Sequence, residues 1–195
     1  MSTDARLTAG AHLTADDWAA AALDALLSDG PAGVAVQPLA RRIGATKGSF
    51  YWHFKSRDEL LRAALARWEE TATEAVIRSA EAASADPRER ARLLFGWVTA
   101  SSSEHPGQLR LLAEAGHPDV RAALDRATRR RVGYVARLLR EAGQPAAVAG
   151  RRATLAYATY LGHAQLAHST PGLLPATDQD RRDLLDELTR ILFAP

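Results

Sequence analysis

The side chains best suited to bind another molecule lie between residues 37 and 55. This stretch holds the only two lysines of the chain, Lys47 and Lys55, together with hydroxyl and aromatic side chains. From residue 30 to residue 57 there are five basic residues and no acidic one. The whole chain has 25 basic and 23 acidic residues, so this segment carries +5 and the remainder −3. Because cationic and hydroxyl side chains donate to phosphate oxygens, the pattern favours binding to a nucleic acid.

Two short predicted helices, 37–43 and 46–53, position these side chains. Apolar residues at helical spacing give each helix an inner face, which in the second helix consists of Phe50 and Phe54. Gly44 suits the turn between them, because glycine adopts a left-handed backbone conformation without a side-chain clash. Two short helices joined by such a turn are typical of a helix-turn-helix.

The segment 39–56 resembles the TetR family of bacterial transcriptional regulators. Its sequence is LARRIGATKGSFYWHFKS, and the resemblance extends back through a predicted helix over 14–28 and forward to the DELL run that starts at Asp58. The resemblance implies an N-terminal three-helix helix-turn-helix domain and a C-terminal helical ligand-binding and dimerisation domain. It also implies a homodimeric repressor that leaves a palindromic double-stranded DNA operator when a small-molecule effector binds.

Nine residues occupy positions that the resemblance assigns to DNA contact. The residue type alone leaves Trp52 open, because a large aromatic side chain on a short helix either packs in the core or contacts DNA. We expect helix 46–53 to enter a major groove, with its phosphate contacts fixing the register. The predicted DNA-contact residues are Gln37, Thr46, Lys47, Gly48, Ser49, Tyr51, Trp52, His53 and Lys55.

Helix-start signals recur along the chain and strand-like alternation is absent, which predicts an all-α fold. Thr14 and Asp17, for example, have the spacing of a capping box. We predict a helix-turn-helix DNA-binding domain over 1–60 and an effector-binding and dimerisation domain over 61–195. The predicted helices are 14–28, 37–43, 46–53, 57–82, 87–104, 107–115, 118–142, 146–168 and 178–193.

No motif names the small-molecule effector expected in the second domain. Aromatic side chains offer shape and a few hydrogen bonds, although ordinary core packing is the better explanation for each candidate, since most buried aromatic residues simply pack. The candidate effector-binding residues are Trp97, Leu112, Tyr134, Tyr157, Tyr160 and His163. The histidines at 105, 117 and 163 share no helical spacing with a carboxylate, so we expect no metal site and no other cofactor.

We expect a homodimer through the last two helices, 146–168 and 178–193. Residues 153–177 carry no charge, and helix 178–193 has one apolar stripe at three- and four-residue spacing. A helix that is apolar nearly all round packs against its own core and against a partner, here as a four-helix bundle. The small residues expected to permit close approach are Ala156, Ala164 and Ala167.

Two other function classes share parts of this pattern. An all-helical hydrolase would use the adjacent hydroxyl, carboxylate and imidazole groups of the SSSEH run at 101–105. Adjacency in sequence does not make a catalytic triad, and these residues more simply end a helix, so we expect no enzyme and no catalytic residue. An effector-independent DNA-binding activator or architectural protein would have the same helix-turn-helix and stays an alternative.

Composition limits the remaining classes. The 195 residues are 47% hydrophobic and 25% charged, as in folded globular chains, and the absence of cysteine rules out disulfides and a thiolate nucleophile. The first 13 residues lack an apolar stretch of signal-peptide length. Gln165, two histidines and the Pro171–Gly172 step interrupt the uncharged run, which argues against a membrane span. We expect a cytoplasmic protein without membrane contact.

Overall fold

The computed structural model describes residues 13–104 and 107–194, with the backbone alone for residues 101–104. These residues form helices joined by short turns and contain no strand, which confirms the predicted all-α fold. No helix among them is long and apolar enough to cross a lipid bilayer. The chain divides into two compact units, Met1–Ala64 and Leu65–Pro195. The helices are α1 (Ala15–Asp29), α2 (Val36–Arg42), α3 (Lys47–His53), α4 (Arg57–Glu69), α5 (Ala75–Ala83), α6 (Pro87–Glu104), α7 (Gly107–Ala113), α8 (Pro118–Glu141), α9 (Ala146–Ser169) and α10 (Asp178–Leu192).

Three aromatic rings form the centre of the first unit. Trp18 of α1 meets Phe50 of α3 edge to face, with ring centroids 5.4 Å apart, and Phe50 stacks on Phe54 at 5.8 Å. All three side chains are buried. Helices as short as α2 and α3 are not stable alone in water, so packing against α1 holds them in place.

The two ends of α1 follow from local chemistry. Thr14 Oγ1 accepts a hydrogen bond from the Asp17 backbone N–H at 3.2 Å, and the Asp17 carboxylate accepts one from the Thr14 N–H at 2.8 Å. The predicted capping box therefore forms. After the helix, a side chain at Gly33 would place its Cβ 2.6 Å from the Cβ of Asp29 and 2.9 Å from the carbonyl oxygen of Ala25. Only glycine fits there without a shift of the chain.

A hydrophobic core in the second unit is built from α5, α6, α8, α9 and α10. Helix α8 packs against α9, and α6 packs against both. Tyr134, Leu138 and Leu139 of α8 are among the largest fully buried side chains. One face of α8 thus lies inside the core along the C-terminal half of the helix.

The helix predicted over 57–82 is wrong in one respect, because a π-helical turn at Glu70–Glu74 separates α4 from α5. The buried residues account for the turn. Trp68 is followed by the next buried residue, Thr73, five positions later, whereas buried residues before and after this pair recur every three or four. A π turn accommodates one extra residue, so the apolar stripes of both helices still face the core.

Ion pairs fasten α8 to the residues around this turn. The guanidinium of Arg126 binds the Glu69 carboxylate through two N···O contacts of 2.6 and 3.1 Å, and Arg130 binds Glu74 through contacts of 2.8 and 3.0 Å. The hydrogen bond from Arg130 holds the pKa of Glu74 below its usual value. Each pair is partly exposed and contributes little stability, but the two-point geometry specifies the register of α8 against the turn.

Candidate nucleic-acid interface and effector cavity

The turn between α2 and α3 needs glycine. Gly44 has a φ of +69°, a left-handed conformation that residues with a side chain rarely adopt. A hydrogen bond spans this glycine: the backbone N–H of Ala45 donates to the carbonyl oxygen of Ala40 at 2.8 Å, which closes the end of α2. The turn thereby sets the direction in which α3 leaves α2, and with it the face of α3 that stays outside.

Thr46 begins α3 and shapes its first turn. Its Oγ1 accepts a hydrogen bond from the Ser49 backbone N–H at 3.1 Å, and the Ser49 hydroxyl donates to the Thr46 carbonyl oxygen at 2.9 Å. Both hydroxyls are therefore engaged within the helix start. The neighbouring Lys47 and Gly48 are exposed, so a duplex approaching this turn would meet an ammonium group and bare backbone.

Most of the residues predicted to contact DNA are accessible. Ser49 and His53 are half-buried. Their roles as contacts stay a prediction, but the accessibility that contact requires is present. The exposed members of the set are Gln37, Thr46, Lys47, Gly48, Tyr51, Trp52 and Lys55.

The side chain of Trp52 is 87% exposed and that of Tyr51 is 58% exposed. The core interpretation of Trp52 is therefore wrong, because Phe50 and Phe54 already supply the buried face of α3. Large aromatic side chains this exposed are unusual on a protein that has no partner for them. The outer face of α3 thus presents aromatic surface next to its lysines.

Two of the five basic residues between residues 30 and 57 bind backbone carbonyl oxygens within the first unit. Arg42 donates to the carbonyl oxygen of Ala21 and lies 3.6 Å from the Asp24 carboxylate. Arg57 donates to the carbonyl oxygen of Val34 at 2.9 Å. The charge count from the sequence therefore overstates the cations available to an outside partner. The other three basic side chains, Arg41, Lys47 and Lys55, are exposed.

The second unit contains a partly open cavity of about 60 Å³ lined by residues of the π turn, α5, α6, α8 and α9. A single water needs about 10–15 Å³ on this measure, so the cavity has room for more than one. Apolar side chains form most of its wall. Three of the predicted effector-binding residues, Tyr134, Tyr157 and Tyr160, line it together.

The other three predicted effector-binding residues do not line this cavity. Trp97 follows the lining residue Phe95 by two positions on α6, a rotation of about 200° that turns it outward, and it is 37% exposed. Leu112 lies on α7, which contributes nothing to the wall. His163 is half-buried one turn beyond Tyr160. The phase of each helix, rather than its residue types, decided which aromatic residues meet.

Sequence reasoning missed Arg131, which lines the cavity. It stands in a run of three arginines that is easily taken for a solvated surface. A usable signal was present in the spacing, because Ala127, Tyr134 and Leu138 lie four before, three after and seven after it, and all three are buried. Residues at these spacings share a helix face, so Arg131 belongs to the inner face of α8.

The histidines have other roles. His117 caps α8, since its Nδ1 accepts a hydrogen bond from the Asp119 backbone N–H at 3.3 Å. Burial lowers the pKa of His163. The described side chains include no cluster of three or more metal-ligating groups. Of the candidate hydrolase run at 101–105, His105 and the side chains of 101–104 lie outside the described residues.

The chain is similar to known bacterial regulatory proteins in sequence over one segment and in fold over most of its length. Residues 19–64 match the family of bacterial regulatory proteins described as the tetR family. No curated protein sequence matches the chain. Among solved structures, a transcriptional regulator from Rhodococcus sp. Rha1 is 22% identical with a TM-score of 0.71, over 92% of this chain and 96% of that chain.

Two further solved structures extend the likeness over the whole fold. A TetR-like transcriptional regulator from Rhodococcus sp. RHA1 is 19% identical, with a TM-score of 0.67 over 92% of this chain and 96% of that one. SmeT, the repressor of the Stenotrophomonas maltophilia multidrug efflux pump SmeDEF, is 22% identical, with a TM-score of 0.64 over 92% and 90%. The helix-turn-helix segment of this chain therefore matches the tetR family of bacterial regulatory proteins, and the chain shares its fold with these solved transcriptional regulators.

Proposed function

We propose that the chain is a homodimeric repressor that binds a palindromic operator and releases it when a small-molecule effector enters the second unit. The observation that carries the DNA-binding part is the outer face of α3. There the exposed aromatic side chains Tyr51 and Trp52 lie on the same short helix as the exposed Lys47, with exposed Lys55 just beyond it. No acidic residue occurs between residues 30 and 57 to repel a phosphate backbone.

On this proposal α3 lies in a major groove. Lys47 and the bare backbone at Gly48 approach base edges at the start of the helix, while Tyr51 and Lys55 donate to phosphate oxygens. Thr46 and Ser49, whose hydroxyls are engaged in the first turn, act mainly by holding that turn rigid. Arg42 and Arg57, which bind backbone carbonyl oxygens of their own unit, are left out of the contact set.

Exposed apolar side chains on the last two helices support dimerisation. Leu155 of α9 is 64% exposed, and Leu184 and Ile191 of α10, seven residues apart on one face, are 42% and 54% exposed. The small residues predicted to permit close approach need a correction: Ala156 and Ala164 are 1% and 3% exposed within the chain's own core and cannot meet a partner. An exposed apolar stripe on paired helices is the surface from which a four-helix bundle is formed between two subunits.

The route from effector to DNA runs along the chain. Helix α4 begins directly after the helix-turn-helix and leads without a break into the π turn that forms one wall of the cavity. A ligand that binds more tightly to one arrangement of this turn shifts the population of that arrangement. Moving the end of α4 would then alter the spacing of the two α3 helices in the dimer, so that both half-sites are no longer reached together.

The DNA-binding part is tested with a duplex selected by the full-length chain from a random double-stranded pool. Fluorescence anisotropy then measures affinity as a function of salt. We expect Lys55→Ala to weaken binding to all sequences and to lower the salt slope by about one unit, because one phosphate contact is lost. Lys47→Ala is expected also to change sequence preference. Trp52→Ala is expected to weaken binding without lowering the melting temperature, since its side chain packs against nothing in the core.

Arg129→Ala is the matched control, because Arg129 is an exposed cation on α8, outside the helix-turn-helix. It should leave affinity and salt slope unchanged. If the two lysine variants behave like this control, the assignment of α3 as the reading helix is wrong. An effector-independent regulator would bind the same duplex but would show no loss of DNA affinity with any cavity ligand, which separates it from the proposed sensor.

A further inference from the structure

Each polar side chain in the wall of the cavity can donate a hydrogen bond, and the described residues that line it include no Asp or Glu. The polar groups comprise the guanidinium of Arg131 and the hydroxyls of Thr73, Tyr134, Tyr157 and Tyr160. The rest of the wall is apolar, with Ile77, Leu94 and Phe95 as examples. A positive, donor-rich corner in an apolar cavity selects for a ligand with one negative end and an apolar body.

Arg131 differs from the three arginines that precede it most closely on α8. Arg126, Arg129 and Arg130 each pair with a carboxylate at 2.6 to 2.8 Å. The hydrogen bonds of Arg131 go instead to three neutral acceptors: the hydroxyl of Thr73 at 2.9 Å, the amide oxygen of Gln108 at 2.9 Å and the carbonyl oxygen of Ala72 at 3.2 Å. No carboxylate among the described side chains pairs with it.

The surroundings of Arg131 hold its charge in place without neutralising it. Its guanidinium lies over the ring of Trp68, 5.1 Å from the centroid, and the side chain is half-buried. A cation withdrawn from water is costly unless an anion accompanies it. Three neutral acceptors orient the guanidinium of Arg131 but leave its positive charge without a counter-charge. The cavity beside it is the space in which an anionic group can bind.

Tyr134, three residues after Arg131 on α8, is a second residue of the cavity wall whose side chain can donate a hydrogen bond. The residue is 1% exposed, it lines the cavity, and its hydroxyl has no hydrogen-bond partner among the described atoms. Burial raises the pKa of the Tyr134 phenol, so the hydroxyl stays protonated and able to donate at neutral pH. A buried hydroxyl without a partner is costly, and an acceptor atom on a ligand would remove that cost.

We propose that the cavity binds a small monocarboxylic acid, with its carboxylate on Arg131 and Tyr134 and its apolar body against Ile77, Leu94 and Phe95. This inference rests on the proposed function, since it names the chemical class of the effector. The acid would compete with Thr73 and the Ala72 carbonyl for the guanidinium. Because both belong to the π turn, binding would loosen the contact by which α8 holds that turn.

The test uses isothermal titration calorimetry on the full-length chain with butanoate, hexanoate and benzoate, each compared with its uncharged primary amide. We expect an acid to bind at least about tenfold more tightly than its amide, since hydrogen bonds to a charged group are the stronger ones. Arg131→Gln should weaken acid binding by about tenfold to a hundredfold while leaving amide binding nearly unchanged. Tyr134→Phe, which keeps the ring and removes only the unpartnered hydroxyl, should weaken it by about threefold to tenfold.

Arg129→Gln is the control for Arg131→Gln, because it removes a cation from the same helix outside the cavity and should not change acid binding. Tyr134→Phe keeps the test decisive should Arg131→Gln unfold the chain. The proposal is overturned if acids and amides bind alike, if none of the three acids binds, or if acid binding is unchanged in Tyr134→Phe. DNA release is measured separately. If acid binding depends on Arg131 but DNA affinity is unchanged, the acid site is kept and its role as effector site is wrong. If an uncharged compound releases the DNA and acids do not, the chain is an effector-controlled regulator and the proposed acid site is wrong.

Discussion

Three successive residues of one type, Arg129, Arg130 and Arg131, have three different surroundings. Arg129 pairs with Asp125 one turn earlier on its own helix, and Arg130 pairs with Glu74 across to the π turn. Arg131 turns inward and binds only neutral acceptors. Each step along an α-helix rotates a side chain by about 100°, so neighbours in sequence point into solvent, across to another helix or into the core. At this scale the residue type names the chemistry and the helix phase decides its use.

His163 gives a prediction at the same scale. Burial lowers its pKa in the folded chain, and its Nδ1 has no hydrogen-bond partner among the described atoms. Between the folded pKa and the ordinary value of 6.5 the unfolded chain binds the proton more readily, so stability is complete above 6.5 and is lost as the pH falls below it. We expect His163→Gln to flatten the fall in melting temperature between about pH 6.5 and pH 5.

The control for this prediction is His168→Gln, an exposed histidine on the same helix. Melting curves over that pH range should show the native slope in the control and a shallower slope in His163→Gln. The paired carboxylates whose pKa values are lowered, such as Glu74 and Glu89, titrate below this range and do not obscure it. Equal slopes in all three proteins would mean that His163 is not buried in solution.

Among the helices and turns, the π turn at Glu70–Glu74 joins packing to function. It exists because Trp68 and Thr73, five residues apart, both face inward. The carbonyl oxygen of Ala72, within this turn, accepts a hydrogen bond from Arg131 at 3.2 Å. Turns of this kind are frequent at functional sites, and this one forms a wall of the cavity.

Deleting the exposed Thr71 tests this account. The deletion shortens the interval between Trp68 and Thr73 to four residues, so a continuous α-helix could keep both inside. We expect the chain to stay folded with a loss of roughly 1–3 kcal/mol in the free energy of unfolding, and to lose the hydrogen bonds between the turn and Arg131. Circular dichroism and thermal melting measure the first effect.

Deleting the exposed Arg129 from the middle of α8 is the matched comparison. This part of α8 is a regular α-helix without a π turn. The deletion therefore rotates one half of the helix by about 100° relative to the other half and exposes part of its core face. This variant should fail to give a cooperative melt. The explanation of the π turn would be wrong if the two deletions were equally damaging.

The whole molecule combines two units whose surfaces have different characters. The first has an exposed aromatic and basic helix, and the last helices of the second present exposed apolar side chains. A net charge of only +2 hides this division, because a +5 segment is balanced by a remainder of −3. Both surfaces expose groups that are usually covered, which accounts for DNA and a second subunit as the proposed partners.

The dimer gives the prediction at this scale. We expect light scattering at micromolar concentration to give twice the mass of one chain, and the double variant Leu184→Arg, Ile191→Arg to give the mass of one chain. The double variant places two guanidinium groups from each subunit in the helix interface, and burying these unpaired charges costs more free energy than the apolar contacts contribute. Leu173→Arg is the control, since Leu173 is 74% exposed and lies outside both helices. A monomeric native chain would contradict the proposed assembly.

Much of the fold could be predicted because its signals are local. Caps such as Thr14 with Asp17, the glycine turn at Gly44 and the three- and four-residue apolar spacing all act within one or two turns of helix. The helix-turn-helix is the part of the candidate site that such signals describe. The cavity is not, because four helices and the π turn each contribute one face to it, and the phase of each helix decides whether a residue such as Trp97 belongs to it.

By itself, the amino-acid sequence determined the helices, the turn that joins α2 to α3 and the basic, aromatic character of α3, since each depends on residues close together in the chain. Only the tertiary structure decided that Trp52 is exposed, that Arg42 and Arg57 serve their own unit, and that Arg131 faces a cavity without a carboxylate. Burial and ion pairing depend on groups brought together from distant parts of the sequence. Short-range patterns carry no information about which of those groups meet.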